Sequence, residues 1–528
     1  MEQDNIFKSA FKFLFACLIL LVGVWIGIVL HTNYSNNNYL VGNTKMDEIM
    51  QAIHHYYVDS LNEEETLDMT IHQMLSNLDP HSMYIPKKDF LSVNEPLVGN
   101  FEGIGIEFHI LKDTIMVVSP IISGPSEMAG ILAGDKIILI NDTLVAGIGI
   151  KNETVFKYLR GKGGTKVKVS IKRAGSKDLI HFYIVRDKIP IFSVDIAYMV
   201  NAKTGYIKIN SFGSRTYHEF VQKLKELKAQ GMTKLIIDLR QNGGGYLDAS
   251  VAIADELIPG NSLITYIEGR HFKRQSYSAE HTGLFETGEL AIMIDEGSAS
   301  ASEILAGAVQ DLDRGKIIGR RSFGKGLVMS DFMLSDSSAL RLSMARYYTP
   351  SGRCVQKPYE NGSLDYEAEV YNRYKHGEMF KDSATGQFDT TKYYTKNKRI
   401  VRGGGGIFPD IFVALDTSFN VKLMAEMRNQ VPEFVYQHIP SLKADIARYR
   451  TAIEFKESYA IPPDLYNHFV EFCKSQKIQI TEPALAKIES KVKGLMKAYI
   501  ARQIYKNEAF YRIINESDPA FKKAVEAI

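Results

Sequence analysis

Between Thr44 and Glu95 apolar residues recur at helical spacing (Met46, Ile49, Met50 and Ile53, then Leu67, Ile71, Met74 and Leu75), which predicts a small helical cap over 44–95. The turn Asn77-Leu78-Asp79-Pro80-His81 breaks that pattern. From 97 to 190 the period shortens. GNFEGIGIEFHI, TIMVVSPII, AGILAGDKIILINDTLV and TKVKVSIKRAG read as strands separated by Gly-Asp and Asn-Asp turns, with a helical NETVFKYLRG before the last. Thr204 to Asn210 and Lys234 to Leu239 are apolar runs of strand length on either side of a helical Thr216 to Gln230, the sign of a β-α-β crossover within an α/β body over 191–416. Helical periodicity returns over 417–528 and predicts a packing or interaction domain.

One segment is apolar all round. Ala10 to Leu30 carries a single charge, Lys12, and is about long enough to cross a bilayer. Lys8 and Lys12 lie at its start, while no Lys or Arg follows it until Lys45, so the positive-inside bias places the bulk of the chain outside the cytoplasm. The expectation is a cytoplasmic N-terminus at 1–9, a retained transmembrane anchor at 10–30 and an Asn-rich linker at 31–43. This would be a single-pass membrane protein of the cell envelope, with its body in the periplasm.

Composition narrows the chemistry. A formal charge of +2 over 528 residues gives no field that would select nucleic acid. Three cysteines, Cys17, Cys354 and Cys473, indicate neither a disulfide framework nor a metal site, and the latter two read as free buried thiols. Neither a metal nor another cofactor is implied.

GRRSFGKG, Gly319 to Gly326, fits most of a phosphate-binding loop, but Gly326 stands where a magnesium-binding hydroxyl is needed, and an extended run from Leu327 to Phe332 follows instead of a helix. Lys325 therefore has another task. Set among glycines and apolar residues, its ammonium is destabilised by burial, and the neutral amine can take a proton from a hydroxyl. Hydroxyls stand in Glu296-Gly297-Ser298-Ala299-Ser300-Ala301-Ser302, between the strand LAIMID and an Ala-rich helix; any of these serines, Ser302 included, could simply cap the helix. Gln241-Asn242-Gly243-Gly244-Gly245, at a strand-to-helix turn, offers free amides to an oxyanion. Gly103-Ile104-Gly105-Ile106 offers successive N–H groups to a carboxylate beside a strand edge. His81, alone in a turn beside Pro80, reads as structural rather than as a general base.

The order of loop, strands, turns and helix over 97–190 resembles a PDZ domain, a module that binds free protein C-termini. SASASEILAGAVQD, RSFGKG, DLRQNGGG, LDPHSMYI and RYYTPSGR, together with that segment, resemble the C-terminal processing peptidases of serine peptidase family S41, over about Met46 to Val413. The resemblance implies a crotonase-related α/β core with an inserted PDZ domain. It implies Ser300 as nucleophile, Lys325 as general base, and Ala301 with Gly244 or Gly245 as oxyanion N–H donors. Its implied substrates are proteins with free apolar C-terminal tails, held at Gly103, Ile104, Gly105 and Ile106. The family carries Gln four residues after the Lys, where this chain has Met329. On an extended strand positions 325 and 329 face the same side, and a thioether cannot donate a hydrogen bond. Ser322 and Ser330 are the nearest replacements. The alternative reading is a PDZ adaptor that binds C-termini with weakened catalysis, and the helices over 417–528 could serve homo-oligomerisation or adaptor binding.

Overall fold

The computed structural model describes residues 22–23, 44–121, 123–382 and 391–528. The expected N-terminus 1–9 and linker 31–43, Cys17, and all of 10–30 except Val22 and Gly23 lie outside them. The expectation of a single-pass membrane protein is corrected: among the described residues no helix is long and apolar enough to cross a membrane. Even the longest, Glu482–Ser517, carries charged residues along its length, each costly to place in hydrocarbon.

The chain divides into two compact units, one ending at Gln73 and one running from Met74 to Ile528. The stretch expected as one helical cap is therefore split. Helix Thr44–Tyr56 belongs to the first unit, whereas strand Met83–Ile85 and helix Lys87–Val98 belong to the second, where the strand pairs antiparallel with Ala339–Tyr348.

The centre of the second unit is a six-stranded sheet in the order Ile196–Met199, Thr204–Lys208, Lys234–Asp238, Glu289–Ile294, Lys316–Gly319 and Ile411–Phe412, parallel except for its first pair. Parallel strands are covered on both faces, which is why these runs are apolar at nearly every position. Alternate residues divide between two cores. Ile207, Leu235, Ile237, Leu290, Ile292 and Ile317 face the larger one, with helices Thr216–Ala229, Leu247–Asp255 and Ala301–Asp311. Tyr206, Ile236, Ala291, Met293 and Ile318 face the other, closed by Ala520, Phe521 and Ala524 of the last helix, Pro519–Ala527. The far C-terminus thus completes the central sheet.

A second, antiparallel sheet joins Met83–Ile85, Ala339–Tyr348, Leu263–Glu268 and Gln275–Ser278, with Leu327–Met333 also paired to Ala339–Tyr348. Residues 106–185 form their own six-stranded sheet, in which Ile106–Leu111 is an end strand and helix Asn152–Leu159 packs Val155 and Leu159 into the core. The helices from Val421 to Ser517 bury a separate core around Met427, Phe434, Phe455, Phe469 and Met496. Cys473 is buried there; Cys354 is only half-buried, against expectation, because it sits in the loop after the long strand, and neither forms a disulfide among the described residues.

Candidate active site

The neighbouring parallel strands Lys234–Asp238 and Glu289–Ile294 are in register, Asp238 opposite Met293, so the turns that follow them lie side by side. Two serines stitch these turns together. Ser298 Oγ donates to Leu239 O and Ser302 Oγ donates to Asn242 O, each at 2.9 Å, and both residues are fully buried. Their hydroxyls are spent on backbone. Ser300 stands between them at the N-cap of helix Ala301–Asp311 and lines a cavity of about 660 Å³, together with Lys325, Met329, Arg341, Tyr347 and the glycines 243–245. Its φ of 56° is a left-handed conformation that a serine adopts only under constraint.

Glycine is needed where the second turn meets this serine. Gly244 has φ +100°, and a Cβ there would lie 2.7 Å from both Ala299 O and Ser300 Cβ. Its N–H is already committed, however: it donates to Asn242 Oδ1 at 2.9 Å. That Asx-type bond removes Gly244 from the expected oxyanion donors. Among the described residues the N–H groups of Ala301 and Gly245 have no hydrogen-bond partner, and both residues line the cavity.

Lys325 lies in the loop before strand Leu327–Met333, outside the stretch in which side chains alternate, and opposite Val328 and Met329 the partner strand skips Met344. Strand alternation therefore does not reach back to 325, although both residues line the same cavity. Neither expected replacement for the missing amide holds the lysine. Ser322 Oγ donates to Glu303 Oε1 at 2.5 Å and accepts from Ile407 N–H, while Ser330 is exposed. Among the described residues no hydrogen bond reaches Lys325 Nζ. Burial pushes its pKa down, the Arg341 charge pushes it further, and Glu303 and Asp79 oppose them.

What fixes both residues is a carboxylate within the motif SASASE. Glu303, fully buried, accepts the N–H of Ser300 (2.8 Å) and of Lys325 (2.9 Å) on Oε2, and Ser322 O–H and Gly324 N–H (2.8 Å) on Oε1. Burial raises its pKa and these four bonds counter the rise. The signal for it was present as a Ser-x-x-Glu capping-box spacing at 300 and 303.

His81 does not line the cavity. Its Nε2 meets Tyr366 Oη at 2.9 Å, and burial, with Lys325 nearby, lowers its pKa to about 4, so the ring is neutral near pH 7. Asp79 of the same turn accepts from Ser82 and Ser343 hydroxyls, joining this turn to the strand that carries Arg341 and Tyr347.

At the loop 103–106, the N–H groups of Ile104 and Gly105 have no partner among the described residues, and Gly105 has φ +72° with Ile189 Cδ1 2.9 Å from where a Cβ would stand. Phe108, on the end strand, meets Phe156 of helix Asn152–Leu159 edge to face at 5.7 Å.

The comparisons with known proteins agree on a family. A family model described as Peptidase family S41 matches residues 203–362. The carboxy-terminal-processing protease of Bartonella bacilliformis is 34% identical over 360 residues, covering 67% of this chain and 81% of the relative. The chain belongs to peptidase family S41. As a member of the carboxy-terminal-processing group it is a serine peptidase. The carboxy-terminal processing protease CtpB of Bacillus subtilis is 34% identical over 316 residues, covering 59% of this chain and 65% of that protein. Among solved structures, the photosystem II D1 C-terminal processing protease is 29% identical, covers 57% of this chain and 81% of its own, and has a TM-score of 0.35. A PDZ-domain model matches 103–181, and a model of a family of unknown function matches 423–506. This S41 peptidase therefore combines a peptidase core and a PDZ domain with a helical C-terminal region.

Proposed function

We propose that this S41 peptidase is an endopeptidase that cuts proteins near apolar C-terminal tails with a Ser300–Lys325 dyad, the PDZ domain holding the tail. One observation carries the reading: of the three serines in SASAS, only Ser300 opens on the cavity that Lys325 lines, the other two hydroxyls being bonded to backbone.

The neutral Lys325 amine takes the Ser300 Oγ proton as Oγ bonds to the scissile carbonyl carbon. The tetrahedral oxyanion is taken by the N–H groups of Ala301 and Gly245. The C–N bond then breaks, and the lysine ammonium returns its proton to the leaving amine. Water repeats the sequence: Lys325 accepts its proton, the hydroxide adds to the acyl carbon, and the C–Oγ bond breaks as Ser300 is reprotonated. None of these proton transfers calls on a metal ion.

Tail recognition is assigned to Gly103, Ile104, Gly105 and Ile106. The unpartnered N–H groups of Ile104 and Gly105 suit a terminal carboxylate, and the open edge of Ile106–Leu111 suits an added strand. The test uses an unfolded reporter with an apolar tail, read by mass spectrometry. Ser300→Ala and Lys325→Ala should each abolish cleavage with the fold intact, and the amidated reporter should bind markedly less well than the free acid. Undiminished turnover in either variant refutes the dyad.

A further inference from the structure

We propose that Tyr347 is a positioning residue for the Ser300–Lys325 pair, acting through its hydroxyl on the backbone carbonyls of those two residues; the proposal rests on the dyad reading above. Tyr347 is 1% exposed, near the end of the strand Ala339–Tyr348, with its ring in the wall of the catalytic cavity. Its Oη lies 2.8 Å from Lys325 O and 3.2 Å from Ser300 O. One O–H thus points between two carbonyls that belong to separate elements.

The same two residues are held from the other side by Glu303 Oε2, through their N–H groups. Ser300 and Lys325 each have both backbone polar groups fixed, and the same two side chains do it for both. This matters because the Lys325 amine itself lacks a protein hydrogen bond among the described residues, and Met329 beside it cannot donate one. The direction of the amine is set by the backbone that carries it. A small loss of registry between nucleophile and base costs rate steeply.

The two carbonyls are not equally dependent on the phenol. Ser300 O also accepts from Glu303 N–H and Ile304 N–H, whereas among the described residues Tyr347 is the one donor to Lys325 O. Loss of the hydroxyl therefore frees the base rather than the nucleophile. Burial holds the Tyr347 pKa well above the ordinary value, so the phenol remains a donor throughout the assay range.

Tyr347→Phe deletes the hydroxyl and leaves the ring. Its kcat should fall at least about tenfold with KM changed less than twofold. The acid limb of kcat/KM should also move to higher pH, because a loosened Lys325 admits water and regains basicity. The control is Tyr198→Phe, which removes a hydroxyl hydrogen-bonded to Asn515 at 2.8 Å in the core on the opposite face of the sheet. It should lower thermal stability without moving kcat or the pH profile. Replacing Tyr347 by 4-aminophenylalanine, which keeps an N–H donor, should hold kcat within about threefold of wild type; this variant also decides the matter if the Phe variant does not fold. Wild-type kcat and acid limb in Tyr347→Phe, or no retention of kcat with the amino analogue, overturns the proposal. Ser300→Ala is run in parallel: cleavage surviving there would refute the dyad itself, an outcome distinct from any result at 347.

Discussion

Arg341 offers a direct test of how Lys325, the proposed general base, is tuned. It lies on the strand Ala339–Tyr348, lines the cavity, and is clasped by Asp331 (2.6 and 2.8 Å) and Asn94 (2.8 Å). After burial, its charge is the main influence lowering the Lys325 pKa, against Glu303 and Asp79, which raise it. Arg341→Met removes that cation and leaves the Asp331 carboxylate uncompensated, and both changes favour a protonated lysine. Arg341 is partly screened by Asp331, with its side chain 14% exposed, and the loss of its charge acts on Lys325 in one direction, upward. Because in the proposed dyad only the neutral amine accepts the serine proton, the acid limb of kcat/KM should move to higher pH. Activity below that limb should fall severalfold and recover on the alkaline plateau. The assay is kcat/KM for the tail reporter from pH 6 to 10, wild type against variant. An acid limb that stays in place or moves to lower pH refutes the electrostatic reasoning, and a uniform loss at every pH assigns Arg341 to substrate binding instead.

Met329→Gln places an amide donor in the cavity wall beside Lys325, and kcat should rise severalfold if the side chain of the base is under-held; an unchanged kcat would show that the backbone frame suffices. His81 titrates from about 6.5 when unfolded to about 4 when folded, so its contribution to stability is present above pH 6.5 and is lost as pH falls through 4, at most about 3 kcal/mol. His81→Gln should flatten the melting temperature between pH 6.5 and 4, and an equally steep profile would exclude this residue as its source. Phe521→Ala empties the face of the central sheet closed by the last helix and should cost about 3–5 kcal/mol in denaturant unfolding; a loss below about 1 kcal/mol would mean the helix does not seal that core.

The α/β crossover, the PDZ order and the two segments that carry Ser300 and Lys325 into one cavity were legible because each is written locally, as a period, a turn or a motif. Choosing Ser300 over Ser298 and Ser302 was not legible from local pattern alone. The distinction lies in hydrogen bonds to Leu239 and Asn242, which come from another strand-to-turn segment. The same partner misled the oxyanion assignment, since Asn242 takes up the N–H of Gly244, although an Asn followed by glycines is a known Asx-turn signal. Alternation did not apply at Lys325 because the strand begins only at Leu327, a boundary that the extended run after GRRSFGKG does not mark in the sequence.

The position of the final helix shows the same limit at larger scale. Its apolar residues Ala520, Phe521 and Ala524 have ordinary helical spacing, which is equally compatible with packing onto the preceding helices. The chemistry that commits it to the peptidase core is a charge pair that local pattern does not announce. Arg240 of DLRQNGGG binds Asp238 of its own strand through two nitrogens and reaches Asp518, which itself caps the last helix through Ala520 N–H. Asp238, in turn fully buried, is held well below the usual carboxylate range by Arg240 and Lys208 despite the cost of burial. The loop that supplies the Gly245 N–H is therefore anchored at its base by an ion pair shared with the far end of the chain. Removing Asp518 would leave Arg240 with Asp238 alone at the base of the proposed oxyanion loop, so a residue remote in sequence from Ser300 and Lys325 helps hold the turn that faces them.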